Sequence, residues 1–205
     1  MLSSMRILKF YIFLFLALSL AGCTTLREQP NALNQTVSWQ ERKIALEQLQ
    51  IWDISAVMAV RTHAGSEGGT ANLKWQQRNQ DYSLLLYGPL GADATKIYGR
   101  PGHVSLETAD GKKFEASSPE LLLAQQTGWQ LPVSDLYYWI RGLPAQGSPR
   151  RMQWDSSHRL IHLNQSGWTI DYLRYSAVHQ IDVPTKLTLE NLRLKIKIII
   201  NQWQI

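Results

Sequence analysis

From residue 52 onward, apolar and polar side chains alternate almost one for one, in short runs broken by turn residues. In the first run Trp52, Ile54, Ala56, Met58 and Val60 share one face, while Asp53, Ser55 and Arg61 lie on the other. A period of two belongs to a strand with one buried and one wet face. Gly65 to Gly69 reads as a turn, after which Ala71, Leu73 and Trp75 alternate with Asn72, Lys74 and Gln76. Arg78-Asn79-Gln80-Asp81 turns the chain again, and Tyr82, Leu84 and Leu86 form the next apolar face. The pattern continues over 95–98, 104–108 and 112–116, punctuated by Gly88, Gly91, Pro101-Gly102 and Asp110-Gly111. Short strands this closely spaced pair with their neighbours as an antiparallel meander, hence a sandwich or a barrel.

Helical patterns interrupt the alternation. Ser38-Trp39-Gln40-Glu41 is a capping-box sequence and predicts a first helix to about Gln50. Ser118-Pro119-Glu120 supplies an N-cap, a first-turn proline and a first-turn acid for a second, which Gly128 ends. A third opens at Val133 or Ser134. Its Leu136, Trp139, Ile140 and Leu143 fall at i, i+3, i+4 and i+7, a core-facing stripe that Gly142 and Pro144 terminate. Strands resume over 152–154, 159–163, 168–175, 185–190 and 192–203, for about eleven strands and three helices. The Ile198-Ile199-Ile200 run is unusually apolar if this last strand forms an edge.

The N-terminus is a processing signal. Arg6 and Lys9 precede an apolar run from Phe10 to Leu20, short for a membrane span of about 20 residues. The run ends in Leu20-Ala21-Gly22-Cys23, which resembles a bacterial lipobox; an ordinary secretory signal containing a cysteine is the other reading. As a lipobox it makes Cys23 the lipidated first residue of a mature chain of 183 residues. Thr24 and Thr25, rather than Asp, follow the cysteine, which in this class of signal points to the outer membrane and its periplasmic face. Several acyl chains on one residue anchor durably, where one would bind reversibly. The expected organisation is a signal peptide over 1–22, a polar tether over 23–37 and one domain over 38–205.

Little in the chain suggests reaction chemistry. Cys23 is the single cysteine, so no intramolecular disulfide and no cysteine-rich zinc site can form. His158 and His162 have the spacing of a helical metal pair but sit in a strand pattern without H-E-x-x-H. Ser134-Asp135 fits a helix start better than a hydrolase triad, and no G-x-S-x-G elbow is present. Glycine-rich phosphate loops are missing too. No catalytic residue, metal or cofactor is expected. Loss of Arg6 and Lys9 with the signal lowers the formal charge from +5 to +3, too mild for nucleic acid.

The apolar inventory is large by contrast, with eight Trp, eight Tyr and four Phe. Trp52, Met58, Trp75, Leu84, Leu86, Trp139, Ile140 and Trp168 all fall on the apolar sides of their elements. They fit either a plain packed core or a curved sheet around an apolar pocket, with the middle helices as a lid. Leu90 is odd in its own way, because it occupies the tip of Gly88-Pro89-Leu90-Gly91, where turns are usually polar. Such a leucine either folds back onto the core or probes a lipid surface.

Taken together, the lipobox, Trp75-Gln76-Gln77, the 82–86 strand, Pro89-Leu90-Gly91, Pro101-Gly102-His103-Val104, Thr127-Gly128 and Trp139-Ile140-Arg141-Gly142-Leu143-Pro144 resemble the outer-membrane lipoprotein receptor family LolB, over nearly the whole mature chain. The resemblance implies an incomplete, unclosed antiparallel barrel of eleven strands and three helices with an apolar cavity under a helical lid. It implies a monomer that accepts triacylated lipoproteins from the periplasmic carrier LolA and inserts them into the inner leaflet of the outer membrane. Leu90, with Pro89 and Gly91, matches the family's membrane-inserting loop. Trp52, Met58, Trp75, Leu84, Leu86, Trp139 and Ile140 are then the expected lining of the acyl-chain cavity. The tight Glu190-Asn191 turn departs from the family's longer glycine-rich loop and leaves the register of the last hairpin open. A lipid-binding or structural envelope lipoprotein of the same fold is the alternative.

Overall fold

The computed structural model describes residues 37–63, 68–127 and 131–205. Cys23, the signal segment and all but the last residue of the tether lie outside the described residues, as do most of the turn before Gly68 and the helix stop at Gly128. The strands are β1 (Ile51–Thr62), β2 (Gly68–Arg78), β3 (Asp81–Tyr87), β4 (Thr95–Arg100), β5 (His103–Glu107), β6 (Lys113–Ala116), β7 (Arg151–Trp154), β8 (Leu160–Gln165), β9 (Trp168–Val178), β10 (Ile181–Glu190) and β11 (Leu194–Gln204). They form one antiparallel sheet in the order β6-β5-β4-β3-β2-β1-β11-β10-β9-β8-β7. The chain therefore makes two meanders that meet where the first strand pairs with the last. Closure stops short, leaving β6 and β7 as free edges.

β1 sets the pattern for the interior. Trp52, Ile54, Ala56, Met58 and Val60 are buried at every second position. Cross-strand pairs extend that face in both directions, Ile54 with Trp75 on β2 and Met58 with Ile198 on β11. Leu84 on β3 sits between Trp75 and Ile97, continuing the apolar layer to β4. Tyr82 is paired with Gly99, and a Cβ at that glycine would fall within the Tyr82 ring. Glycine is required there so that the ring can lie across the neighbouring strand.

The edge expected at the C-terminus is not one. β11 is an interior strand, hydrogen-bonded to β1 and β10. An interior strand can be apolar along its length, which accounts for the isoleucine run. The last hairpin pairs Glu190 with Lys195. Asn191 closes its turn by accepting through Oδ1 from the amides of Arg193 and Leu194, each at 2.8 Å.

Helix α1 (Trp39–Gln48) has the expected capping box: Ser38 Oγ accepts from the Glu41 amide, and the Glu41 carboxylate accepts from the Ser38 amide at 2.9 Å. That network holds the Glu41 carboxyl below the usual glutamate range. The helix stops two residues early because Ile51 enters β1 and Gln50 C=O accepts from the Asn79 amide at 2.9 Å. Helices α2 (Pro119–Thr127) and α3 (Val133–Trp139) lie in the chain segment joining the two free edges. Pro132, not Ser134, occupies the N-cap of α3, and proline has no side-chain acceptor. Glu120 of α2 serves instead, its Oε1 accepting from the Ser134 amide at 2.7 Å.

Candidate functional site

An apolar pocket lies between the sheet and the helical segment. Met58, Leu73, Trp75, Leu84, Leu86, Ile97, Leu189, Ile196 and Ile198 line it from the sheet, and Leu123, Leu131, Pro132, Val133 and Leu136 from the helical side. Each sheet residue points inward by the period of its strand, and Leu136 is the first residue of the stripe read along α3. Its volume is about 60 Å³, room for a few water molecules. A wider groove of about 560 Å³ opens at the end of the sheet carrying the β2–β3 and β4–β5 turns. Gln77, Asn79, Arg100, Ser118 and Asp135 line it beside Tyr82, Val104, Tyr137 and Tyr138, so it is mixed where the inner pocket is wholly apolar. Trp75 and Val133 form part of both walls. The smaller space is the better match to an acyl chain, because every side chain facing it is apolar.

Four of the seven expected cavity residues, Met58, Trp75, Leu84 and Leu86, line this pocket. Trp52, Trp139 and Ile140 do not. Trp52 belongs to an aromatic cluster, 5.2 Å from Trp75, 5.4 Å from Trp203 and 6.3 Å from Tyr137 between ring centroids. It comes at the start of β1, behind Trp75 as seen from the pocket. Trp139 and Ile140 are fully buried at the C-terminal end of α3, where the helix is fastened to the body. An apolar phase shows which face a residue occupies but not which layer of the interior.

The fastening uses buried polar groups that periodicity does not reveal. Gln165, at the end of β8, accepts through Oε1 from Trp139 Nε1 at 3.1 Å and from the Ala145 amide at 2.8 Å. Its Nε2 donates back to Ala145 C=O at 3.0 Å. Arg141 donates to Leu46 C=O at 3.1 Å, which also accepts from the Leu49 amide, and to Leu49 C=O at 2.9 Å, beyond the end of α1. The Tyr137 ring lies 3.9 Å from its guanidinium carbon. Burial pulls the Arg141 pKa below the ordinary arginine value, and the neighbouring tyrosines oppose that shift. Gly142 follows at φ +83°, and a Cβ there would press on the Tyr175 hydroxyl and Pro184. The only sequence signal for Gln165 was its in-phase spacing from Leu163.

The Tyr82 hydroxyl, in the wall of the wider groove, is buried with no hydrogen-bond partner. Burial, with the Glu120 carboxylate adding to it, pushes its pKa far above the ordinary tyrosine range, so the phenol stays neutral. His158 and His162 do not come together as ligands: His158 sits in the β7–β8 turn, and His162 Nδ1 is 2.7 Å from Asp171 Oδ1 on β9.

Leu90 is fully exposed. It lies in a single 3-10 turn, Pro89–Gly91, at φ 58° and ψ 20°. The turn is closed by the Gly88 amide donating to Ala92 C=O at 2.7 Å and the Ala92 amide to Pro89 C=O at 3.2 Å. A left-handed backbone costs a leucine roughly 1–2 kcal/mol, and no burial offsets it here. Leu86 in the pocket wall is only four residues earlier, one residue before the end of β3. Even fully extended, that stretch would span no more than about 13–14 Å.

A family model described as "Outer membrane lipoprotein LolB" matches residues 50–203, from the start of the sheet to its last strand. The chain belongs to the LolB family. A relative from Stutzerimonas stutzeri named outer-membrane lipoprotein LolB is 42% identical, with 98% of this chain and 97% of the relative covered. Relatives of the same name from Pseudomonas paraeruginosa and Nitrosococcus oceani are 41% and 37% identical, covering 93% and 95% of this chain and 95% and 96% of their own lengths. Among solved structures, a LolA-superfamily protein from Nitrosomonas europaea aligns with TM-score 0.55 at 10% identity, over 82% of this chain and 94% of that one. A DUF1329-family protein from Desulfovibrio piger gives 0.53 at 9%, over 81% and 91%. These two likenesses show the fold: an unclosed, curved antiparallel sheet. LolB membership makes the chain one of a family of outer-membrane lipoproteins, and the family match spans both the pocket and the Leu90 turn.

Proposed function

We propose that this protein receives triacylated lipoproteins from a LolA-type periplasmic carrier, holds their acyl chains between sheet and helices, and inserts them into the outer membrane without ATP. Cys23, as the lipidated residue, anchors the receptor there. The observation that carries the reading is the wholly apolar pocket roofed by Leu123, Leu131, Val133 and Leu136. An acyl chain of about 16 carbons loses roughly 12 kcal/mol on exposure to water, at about 0.8 per methylene. Handover between apolar sites avoids that exposure, so a downhill sequence from carrier to receptor to bilayer needs no reaction chemistry. Trp75 and Val133 line both spaces, so the wider groove lies next to the pocket and offers cargo an approach from that end. Leu90 is the group that enters the bilayer, and Pro89 and Gly91 shape the turn that presents it.

A volume of about 60 Å³ is far too small for an acyl chain. Loading therefore requires the helical roof to move away from the sheet. The same small volume favours a second reading, a packed structural lipoprotein whose interior never opens. A transfer assay separates the two. The receptor is incubated with a carrier loaded with radiolabelled lipoprotein and then with liposomes. Appearance of label on the receptor and then on liposomes is expected; label that stays on the carrier sinks the receptor reading.

A further inference from the structure

Among the described residues, Leu192 is the other large apolar side chain that the fold leaves almost completely bare, at 97% exposure beside 108% for Leu90. It occupies the turn between β10 and β11. Strand register puts both leucines at one end of the sheet. Thr62, the last residue of β1, pairs with Leu194, the first of β11. Asn72, near the start of β2, pairs with Tyr87, the last residue of β3, just before the Leu90 turn. Through Asn72, Tyr87 is level with Val57 of β1, so the Leu90 turn leaves the sheet at the same end as the Leu192 turn but some five residues earlier along the strands. Four strand spacings separate the two hairpins, about 19 Å along the sheet at 4.7–4.9 Å each.

The Leu192 turn is held rigidly. Asn191 caps it from within, the His63 amide donates to Arg193 C=O at 2.9 Å, and the His63 ring lies 3.0 Å from Asn191 C=O. A leucine already fixed in an outward pose has little freedom to lose on entering lipid. The charge around it fits the same partner. Arg61, Arg193 and Lys195 are exposed at this rim, and the acid at the base of the turn, Glu190, is engaged by Lys195 at 2.8 Å. Arg193, next to Leu192, pairs with no carboxylate among the described residues. An exposed apolar tip flanked by a spare basic group suits the interface of a bilayer containing anionic phospholipid.

We propose that Leu192 is a second membrane-contacting residue of this chain. The Leu90 and Leu192 turns meet the phospholipid surface together, with this end of the sheet toward it and the strands inclined to it. Two contacts on one rim limit how the molecule tilts, which a single leucine cannot do. The proposal rests on the reading of Leu90 as the residue that enters lipid, since that reading makes this end the membrane-facing one.

The test places a polarity-sensitive fluorophore on a cysteine introduced by Leu192→Cys, by Leu90→Cys, or by Leu173→Cys. Leu173 is the control, an exposed leucine on the outer side of β9. The full lipidated chain is reconstituted in phosphatidylethanolamine–phosphatidylglycerol vesicles with or without a nitroxide at shallow acyl depth, and the chain without an introduced cysteine is the labelling blank. Labels at 192 and 90 should lose at least half their fluorescence to the nitroxide, and the label at 173 should be unchanged. Quenching at 90 but not at 192 overturns the proposal and leaves the Leu90 reading standing. Quenching at 192 but not at 90 overturns the joint contact and removes the lipid-entering role from Leu90. Quenching at neither overturns both, and equal quenching at 173 overturns contact through this end of the sheet.

Discussion

Leu90 combines two unfavourable features, a left-handed backbone and a bare apolar side chain. Neither helps the fold, and a residue strained without structural return marks a place where stability yields to function. Leu90→Gly relieves roughly 1–2 kcal/mol of backbone strain against about 0.5–1 kcal/mol of extra unfolded-chain entropy. Urea denaturation of this variant should show stability unchanged or raised by up to about 1.5 kcal/mol, while cargo delivery to liposomes falls. Marked destabilisation would instead make Leu90 a core staple. Gln165 is the opposite kind of residue, buried and structural. Gln165→Leu strands the Trp139 indole N–H and both polar groups of Ala145, and should cost about 3 kcal/mol or more, at about 1–3 for each orphaned group. The same titration measures it. Leu90 was legible in the sequence because a leucine between Pro89 and Gly91 contradicts its surroundings. Gln165 was not, because a glutamine near a turn reads as wet unless its phase with Leu163 is weighed.

Among the elements, the strands were the most legible, since alternation is a local property that survives into the sheet unchanged. Helix ends were less so, because their caps came from elsewhere: Glu120 serves the start of α3, and Arg141 serves the end of α1. Strand order was least legible. The apolar run of β11 suggested an unusual edge, and only its long-range pairing with β1 makes it interior. The same long-range closure placed Trp52 and Trp139 outside the pocket although their phase was read correctly. The helical roof is unequally attached. Its C-terminal end is tied by Gln165 and Arg141 through buried hydrogen bonds, whereas Glu120 to Ser134 is an exposed bond at its N-terminal end. Opening should therefore swing residues 131–136 outward while 139–147 stay in place. Glu120→Ala should lower stability by about 1 kcal/mol or less, as for a lost helix cap. It should speed uptake of a fluorescent fatty acid in stopped flow. Uptake slowed or unchanged would move the hinge elsewhere.

Across the whole molecule, β3 joins the pocket to the exposed turn, because Leu84 and Leu86 face the pocket and Leu90 stands at the exposed rim. The wider groove opens at the opposite end. If the proposed function holds, cargo arrives at one end and leaves at the other, and that order has a genetic signature. Leu86→Glu puts a carboxylate into an apolar pocket, where an unpaired charge is strongly disfavoured. It should block receipt from the carrier, so label remains there. Leu90→Glu leaves the pocket intact and should change unfolding free energy by no more than about 0.5 kcal/mol, as expected for an exposed site. That variant should accept cargo and then retain it, because a carboxylate resists the acyl region that leucine enters readily. Circular dichroism and urea titration must first show that the Leu86 variant is folded, since Leu86 also packs against the core. The double variant should then behave as Leu86→Glu alone, with label on the carrier and none on the receptor, because receipt precedes insertion. Label accumulating on the double variant would mean that acyl chains bind outside this pocket. Delivery to liposomes by Leu90→Glu at the unmodified rate would mean that insertion does not depend on that turn.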